Sequence, residues 1–351
     1  MPPGAGMSRT TPPRPLDVTA LFPRLAPLAR TATRLHPRAG SPSRHDSSVG
    51  GPLMWPAGEP WPQCDEPHTQ DQVEAGFSLE EERADRGIPA RGESRSQHDA
   101  DAYEAGERAV DDLGDAELPW AGGPIAMLPV AQLYTRDVPL LRPPGQSEAD
   151  LLQVLWCPFD HPDHPRTALF WRSAATVTDP LDTPPEPPAV EFPGYLPQPC
   201  LLSPEEVVEH PHFMELSKEL QEELADWGRW QSAGAMVDSS YSVAPEDFYT
   251  NKLSVSPGWK VGGWSRWGLT DPVPRICSVC GAEMDPLLTI ATTEWNAGTK
   301  SWAPEGDQAR DPLPPGIPPA NYTRVDLARG YGLQLHVCPV SADHPHLELI
   351  Q

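Results

Sequence analysis

The cysteines and histidines between residues 277 and 344 have the types and spacing of a zinc site. Cys277 and Cys280 form a CxxC turn followed by Gly281, and such a turn can present two thiolates to one metal ion. Cys338 and His344 follow an apolar, strand-like run, and we expect them to complete a tetrahedral site of three sulfurs and one nitrogen. Such a site would join distant segments and contribute directly to folding.

Further histidines and one further cysteine leave the ligand set open. His336 and His346 are alternative fourth ligands at the same end of the sequence. Cys200 has no histidine partner at a fixed spacing, and we interpret it as a lone thiol. Cysteines without metal are commonly buried as small apolar residues. A thiol that packs at the end of a strand is therefore the alternative to each ligand.

A second set of the same residue types lies earlier in the sequence. Cys64, His68, Cys157 and His164 are predicted to form a site of two sulfurs and two nitrogens, with His161 as an alternative ligand. A CxxxH spacing replaces the CxxC of the later set, and a long acidic stretch separates its halves. The metal expected in both sites is structural zinc, because four thiolate and imidazole ligands close its coordination sphere.

The two ligand sets belong to an internal repeat. A glycine pair, a cysteine, an apolar strand, a strand that ends in cysteine and an Asp-His-Pro triplet occur twice in the same order. The closest match is LQVLWCP at 152–158 against LQLHVCP at 333–339. Because side chains alternate between the faces of a strand, each repeat places a glutamine and the cysteine on one face. We predict that the repeat reflects duplication.

The elements that must position these residues are short strands. With 47 prolines and 27 glycines, the chain is not expected to form long helices. We predict an α+β fold of two related, mostly antiparallel β-rich units joined by a helical segment. The expected parts are a disordered leader at 1–15, a first β-rich unit at 16–177 with an acidic disordered insertion at 71–117, a proline-rich linker at 178–199, a helical connector at 200–249 and a second β-rich unit at 250–351.

Capping residues predict where the few helices begin. Asp17 is a candidate N-cap for a short helix that Pro23 interrupts. Ser-Pro-Glu-Glu at 203–206 has the pattern of a helix start, with serine as the cap and proline at the first helical position. A longer helix is expected over 213–227. Its apolar face would comprise Leu216, Leu220, Leu224 and Trp227.

The charge balance limits the class of partner. The chain has 50 acidic and 26 basic residues, which give a net charge of −24 at pH 7. Such a charge repels phosphate backbones and anionic membranes, and the sequence contains no basic patch, membrane span or secretory leader. We expect a cytoplasmic protein that binds neither nucleic acid nor membrane. Its cysteines are then thiols or metal ligands rather than disulfides.

A lysine and three tryptophans near the second glycine pair each allow two interpretations. Lys260 is one of only four lysines, and a surface lysine at a strand end is favoured over an anion-binding role. Trp259, Trp264 and Trp267 are expected to form either the edge of the core or a patch that binds a partner.

Four short segments resemble those of the YwqG-like bacterial proteins. They are KVGG at 260–263, CSVC at 277–280, LLTI at 287–290 and LQLHVC at 333–338. The same order is similar to the C-terminal region of eukaryotic programmed cell death protein 2. The resemblance covers 250–346 and, through the repeat, 48–172 more loosely. It implies a β-rich fold without known catalytic activity, a chaperone-like role toward a ribosomal protein for the eukaryotic relatives and a proposed immunity role against toxins for some bacterial ones.

These observations predict a non-enzymatic protein-binding module, stabilised by zinc, that acts in a chaperone-like or immunity-like way on a basic client protein. The acidic surface would steer the client, and tryptophans at the glycine turns would anchor it. One alternative is a metal-dependent hydrolase in which Asp160 or Asp163 is the general base beside a metal with an open position. Another is a duplicated structural domain without metal.

Overall fold

The computed structural model describes residues 9–87, 119–145, 148–237, 240–308 and 320–351. Within these ranges the chain has the predicted α+β class and is built on antiparallel sheets. Its strands are β1 (Arg30–Arg34), β2 (Arg38–Ala39), β3 (Ser48–Val49), β4 (Gln63–Cys64), β5 (Phe77–Ser78), β6 (Ile125–Ala126), β7 (Leu128–Tyr134), β8 (Leu151–Asp160), β9 (Pro165–Arg172), β10 (Ala189–Val190), β11 (Cys200–Leu201), β12 (Glu205–Glu209), β13 (Lys260–Gly262), β14 (Asp285–Ala291), β15 (Gly332–Val337) and β16 (Leu347–Ile350).

The helices in the same ranges are short. The α-helices are α1 (Val18–Leu21), α2 (Gln70–Glu74), α3 (Leu79–Gly87), α4 (Lys218–Leu224), α5 (Trp227–Ser232), α6 (Pro245–Tyr249) and α7 (Glu305–Gln308). Short stretches of tighter or wider helix occur at Pro23–Leu28, Ala174–Thr176, Pro193–Tyr195, Phe213–Glu215, Ser240–Ser242, Thr250–Ser254 and Lys300–Trp302. None of these helices has the length and apolar character that a bilayer crossing requires.

Two six-stranded sheets dominate the fold. The first sheet has the order β2-β11-β3-β7-β8-β9, and the second has the order β12-β1-β13-β14-β15-β16. Each ends in a meander of three consecutive strands, β7-β8-β9 in the first and β14-β15-β16 in the second. The pairing shifts register after Pro129 in β7 and after Pro286 in β14. The shared order and irregularity fit the predicted repeat, while its origin by duplication stays a prediction.

Strands cross between the two halves of the sequence. The early strand β1 lies in the second sheet, where it pairs with β12 and β13. Strand β11, which follows the proline-rich linker, lies in the first sheet beside β3. The linker itself supplies β10, which pairs with β5. Each large sheet therefore includes a strand from the other half of the sequence.

One hydrophobic core joins the two sheets. Its buried side chains include Val154 and Trp156 from β8 and Ile290 and Leu335 from the second sheet. Strand β8 is buried on both faces, which explains its largely apolar sequence. The alternate positions of β8, including Cys157, pack in a separate cluster on the outer face of the first sheet. This alternation is the predicted one, and it sets Cys157 apart from the central core.

A helical cluster packs beside the sheets. The helix expected over 213–227 is divided, because Ser217 caps α4 through the N–H of Leu220 and Asp226 caps α5 through the N–H of Gly228. The predicted cap at Asp17 is confirmed on α1. The expected apolar face is largely buried, with Leu216, Leu220 and Leu224 packed in one cluster with Phe22 and Trp230.

The predicted helix start at 203–206 is wrong. Residues Glu205–Glu209 form the edge strand β12, which pairs with β1 along its whole length. Glu205 accepts a hydrogen bond from the N–H of Thr11 at 2.9 Å and lies 3.0 Å from the ring of His36. Strand pairing and these distant contacts override the local capping signal.

Two segments predicted to be disordered are partly ordered. Within the leader at 1–15, Arg9 contacts Asp307 at 2.6 Å and Arg14 donates to the carbonyl of Ser301 at 2.9 Å. Within the insertion at 71–117, residues up to Gly87 form α2, β5 and α3. These segments lack an apolar period but are held by polar contacts and by short pieces of sheet. Residues 1–8 and 88–118 lie outside the described ranges.

Candidate metal centres

The four residues predicted for the later site come together at one end of the second sheet, and we call this group the CxxC centre (Cys277, Cys280, Cys338 and His344). Cys277 and Cys280 share a tight turn in which the N–H of Gly281 donates to the carbonyl of Cys277 at 2.9 Å. Gly281 has a φ of +74°, which glycine adopts without strain. Cys338 directly follows β15, and His344 precedes β16. The CxxC turn thus lies against the loop that connects β15 and β16, and the four side chains come together there.

The ligand atoms of the CxxC centre have the spacing of a tetrahedral metal site. The Sγ atoms of Cys280 and Cys338 are 3.4 Å apart, and Nδ1 of His344 lies 3.2 Å from Sγ of Cys338 and 3.6 Å from Sγ of Cys277. Zinc bonds of about 2.3 Å to sulfur and about 2.0 Å to nitrogen place tetrahedral ligand atoms about 3.8 Å (two sulfurs) or about 3.5 Å (sulfur and nitrogen) apart. All four atoms lie within 4.8 Å of one another. The group therefore fits zinc without rearrangement of the backbone.

An equivalent group lies on the outer face of the first sheet, and we call it the CxxxH centre (Cys64, His68, Cys157 and His161). Cys64 ends the short strand β4, His68 precedes α2, and Cys157 lies on β8. Nε2 of His68 is 3.2 Å from Sγ of Cys157, and Nε2 of His161 is 3.5 Å from Sγ of Cys64. These distances match the edges of a zinc tetrahedron with two sulfurs and two nitrogens.

His161 takes the place predicted for His164 in the CxxxH centre. His161 lies at the start of the hairpin turn after β8, and its N–H donates to the carbonyl of His164 at 2.9 Å across that turn. His164 instead lies 3.9 Å from the carboxylate of Glu348. The two Asp-His-Pro triplets match in sequence, but the turn after Cys157 is a tight hairpin and the turn after Cys338 is longer. The earlier histidine therefore reaches the metal position.

The other histidines that were considered lie outside both centres. Nε2 of His336 is 3.0 Å from the hydroxyl of Ser265. Nε2 of His346 is 2.7 Å from the hydroxyl of Thr167, so this ring takes part in a contact between β9 and the end of the second sheet. Cys200 is buried, and burial raises the pKa of its thiol to about 12. It is the inert lone thiol that the sequence predicts.

Contacts inside each centre shift the pKa values of its side chains in both directions: Cys64, His68 and Cys338 shift toward the form that binds metal, whereas Cys157, His161 and Cys280 shift away from it. In the CxxxH centre, the contact between the thiols lowers the pKa of Cys64, which His161 lowers further, and raises the pKa of Cys157. Burial lowers the pKa of His68 and keeps its ring neutral. In the CxxC centre, burial opposes ionisation of Cys338, but the N–H of Val340 and the ring of His344 lower its pKa to about 6. Thiolate and neutral imidazole are the forms that zinc binds.

Both centres have the donor set of a structural site. Four protein ligands complete a tetrahedral zinc sphere, whereas catalytic zinc keeps one position for water. The two carboxylates considered as general bases, Asp160 and Asp163, differ in burial and in hydrogen bonding. Asp160 accepts a hydrogen bond from the hydroxyl of Tyr195 at 2.6 Å, and burial raises the pKa of this carboxyl to about 6, while Asp163 is exposed. The donor count favours a role in folding over hydrolysis.

The interpretation of Lys260 as a surface residue is wrong, and the tryptophans belong mainly to the core. Lys260 is only 2% exposed, and its Nζ lies 2.7 Å from both carboxylate oxygens of Glu209. Trp259 and Trp267 are buried, and Trp264 is half-buried beneath the guanidinium of Arg30. No local spacing signals the Lys260 pair, because its partner lies 51 residues earlier on another strand.

Comparisons with protein-family models and with curated proteins found no match for this chain. The resemblance to the YwqG-like proteins therefore stays a prediction.

Proposed function

We propose that this protein is a non-enzymatic, zinc-stabilised protein-binding module of the cytoplasm that acts on a basic client. The observation that carries the zinc part is the convergence of two separate groups of four thiol and imidazole side chains, each with tetrahedral spacing. Four protein ligands leave the metal no substrate position, so its contribution is to the stability of the fold.

Each metal would connect parts of the chain that are distant in sequence. The CxxC centre joins Cys280 to Cys338 across 58 residues, and the CxxxH centre joins His68 to Cys157 across 89 residues. A link across a long loop restricts the unfolded chain and stabilises the native state. Zinc in these positions would fix the ends of β8 and β15 and the turns beside them.

The client part of the proposal is supported by charge and by an exposed apolar patch. Ile276, Val279 and Val340 are 52%, 63% and 57% exposed, and all three flank cysteines of the CxxC centre; we call them the knuckle patch. The buried tryptophans cannot serve as anchors, so the knuckle patch takes that role. A net charge of −24 favours a basic client through long-range attraction. A chaperone-like or immunity-like action on such a client follows the family resemblance.

Elemental analysis and X-ray absorption spectroscopy test the metal. We expect about two zinc ions per chain, with only sulfur and nitrogen neighbours and four protein ligands each. Cys277→Ser should remove about one equivalent, whereas Cys200→Ser, which changes a buried cysteine outside both centres, should retain both. A bound water at either metal would favour the hydrolase instead, and metal-free native protein would contradict the zinc assignment.

Capture from native lysate tests the client. Proteins that bind the full chain should be basic and should dissociate as salt is raised, because salt screens charge attraction. Val279→Asp in the knuckle patch should weaken capture. Val208→Asp, at a valine that is 58% exposed on β12, is the matched control and should not. Acidic or salt-insensitive partners, or equal capture by the two variants, would count against this part of the proposal.

A further inference from the structure

The cysteines of the two centres differ in their access to solvent. All six cysteines of the chain lie in the described ranges, and Cys280 alone among them is exposed. It belongs to a turn in which every residue from 278 to 281 is exposed. Cys338 is buried beside it, in a small cluster whose other buried members are Cys277 and Met284. A small reactant in solution can therefore reach one sulfur of the CxxC centre directly.

The sulfurs of the CxxxH centre are shielded from such a reactant. Cys64 and Cys157 are both buried, in a large apolar cluster that includes Trp61 and Phe159. The ring of His68 lies against the ring of Phe159, with 5.5 Å between their centroids. The two centres thus share their donor types but differ in whether a sulfur faces the solvent.

The exposed sulfur has a second sulfur within reach. Sγ of Cys280 is 3.4 Å from Sγ of Cys338, although the two residues are 58 positions apart in the sequence. Oxidation of an accessible thiolate gives a sulfenic acid, which a neighbouring thiolate converts to a disulfide. A cysteine that binds zinc is a thiolate, and thiolate character and exposure together determine how readily a cysteine is oxidised. Cys280 meets both conditions, and Cys338 is placed to react with it.

We propose that the CxxC centre is a peroxide-sensitive site, at which oxidation of Cys280 and Cys338 to a disulfide releases the metal. This inference rests on the zinc assignment made above. The thiolate of Cys280 attacks hydrogen peroxide, so an S–O bond forms, the O–O bond breaks and hydroxide leaves. The thiolate of Cys338 then attacks Sγ of Cys280, so the S–S bond forms, the S–O bond breaks and a second hydroxide leaves. The two sulfurs lose two electrons, the peroxide gains them, and each hydroxide takes a proton from solvent to give water.

The disulfide leaves the centre with too few ligands for zinc. Cys277 and His344 are the two that remain, and a structural zinc ion needs four. The N–H of Val340 in the knuckle patch donates to Sγ of Cys338 at 3.4 Å, and this N–H loses a charged acceptor when the thiolate becomes a disulfide. Oxidation therefore alters the support of the knuckle patch, and client binding should weaken. A disulfide that forms and is reduced again is typical of redox sensing in reducing compartments.

Zinc release from the full-length, zinc-loaded protein tests the site. A chromogenic zinc indicator measures the free metal after hydrogen peroxide is added. We expect one zinc equivalent to leave at least about tenfold faster than the other, because only Cys280 is exposed. Peptide mapping without reduction should find Cys280 linked to Cys338. Dithiothreitol and added zinc should restore the starting protein, because thiols reduce a disulfide.

Substitutions locate the effect. Cys280→His removes the exposed sulfur and offers zinc an imidazole nitrogen in its place. This variant should hold two zinc equivalents and should release the first at least about tenfold more slowly than the wild type. Cys200→Ser, at a buried thiol outside both centres, is the matched control and should release zinc like the wild type. Peroxide should reduce the capture of basic proteins by the wild type but not by Cys280→His.

Several outcomes would overturn the assignment. With the wild type alone, these are no release of zinc by peroxide, equal release from the two centres, or a disulfide between Cys277 and Cys280 instead. A zinc-loaded Cys280→His that loses metal as fast as the wild type would also overturn it. Unchanged capture after zinc release would overturn the control of client binding. Protein that holds no zinc before peroxide is added would instead contradict the zinc assignment itself.

Discussion

Among single residues, buried histidines determine how the fold responds to acid. His212 is 5% exposed, and its Nδ1 accepts a hydrogen bond from the N–H of Met214 at 3.3 Å. Burial, and secondarily the charge of Arg266, lowers the pKa of His212 to about 4. The folded protein therefore holds this ring neutral at a pH where the unfolded chain has already bound a proton.

Stability should fall as the pH drops from about 6.5 toward 4. In that window the unfolded state takes up the proton of His212 and the folded state does not, so the loss is up to about 1.4 kcal/mol per pH unit. His212→Asn keeps an acceptor for the N–H of Met214 and should reduce the loss between about pH 7 and pH 5 by roughly 1–2 kcal/mol. Urea denaturation at the two pH values measures this loss in the free energy of unfolding. His45→Asn, at an exposed histidine, should leave the loss unchanged.

The buried ion pair of Lys260 and Glu209 should be costly to break from one side. Lys260→Met leaves the carboxylate of Glu209 buried without its cation, and we expect a loss of about 3–5 kcal/mol in the free energy of unfolding. The double variant with Glu209→Gln removes the unpaired charge and should recover part of that loss. Denaturant titration of both variants decides, and a double variant that is less stable than the single one would contradict the argument.

The metal ligands show which residues a sequence can reveal. Cys277 and Cys280 could be predicted because a CxxC turn is local, and Cys338 because it ends a recognisable strand. The choice between His161 and His164 could not, since it depends on the length and shape of a hairpin turn. Pairing between distant charges, as for Lys260, leaves no periodic signal at all.

Among the secondary-structure elements, the CxxC turn depends on one glycine. Gly281 has a φ of +74°, and a Cβ placed there meets no atom within 4 Å, so strain rather than a clash opposes substitution. Gly281→Ala should cost about 1 kcal/mol and weaken zinc retention against a chelator. Gly58→Ala, at a glycine that also has open space but no left-handed backbone, is the matched control. Equal zinc retention by both variants would show that the turn does not need glycine.

The incorrect helix prediction at 203–206 shows that strand pairing can override local capping residues. Serine, proline and glutamate form a favourable helix start in isolation, yet the segment supplies edge strand β12. The start predicted at Asp17 is correct, and α1 packs there in a cluster with residues of other helices. Capping residues were therefore informative where no sheet edge competed for the backbone.

For the whole molecule, the shared core predicts cooperative unfolding. Val154 and Leu335 belong to different sheets but to one cluster of buried side chains. Val154→Ala and Leu335→Ala should each shift a single transition, the latter by about 2–5 kcal/mol, and circular dichroism and tryptophan fluorescence should report the same midpoint. Val208→Ala, on the exposed side of β12, should leave it unchanged. Two separate transitions would mean that the sheets unfold independently.

The class of the fold could be predicted from the sequence, but its connectivity could not. Proline content, short apolar runs and the doubled LQ(V/L) strand motif indicated antiparallel β units with few helices. Contiguity suggested that each unit is built from its own stretch of sequence. The placement of β1 beside β12 depends instead on which strand has a free edge for it in the folded protein. The sequence of β1 does not identify that partner.

The position of β1 has a consequence for synthesis on the ribosome. Its residues emerge early, yet Arg34 pairs with Glu205 on one side and with Lys260 on the other. At roughly 5–20 residues per second, translation leaves this strand waiting about 10–35 s for the first of those neighbours. During that interval the backbone groups of the strand have no pairing partner. We expect the yield of native protein to depend on how well the cell protects this strand from aggregation.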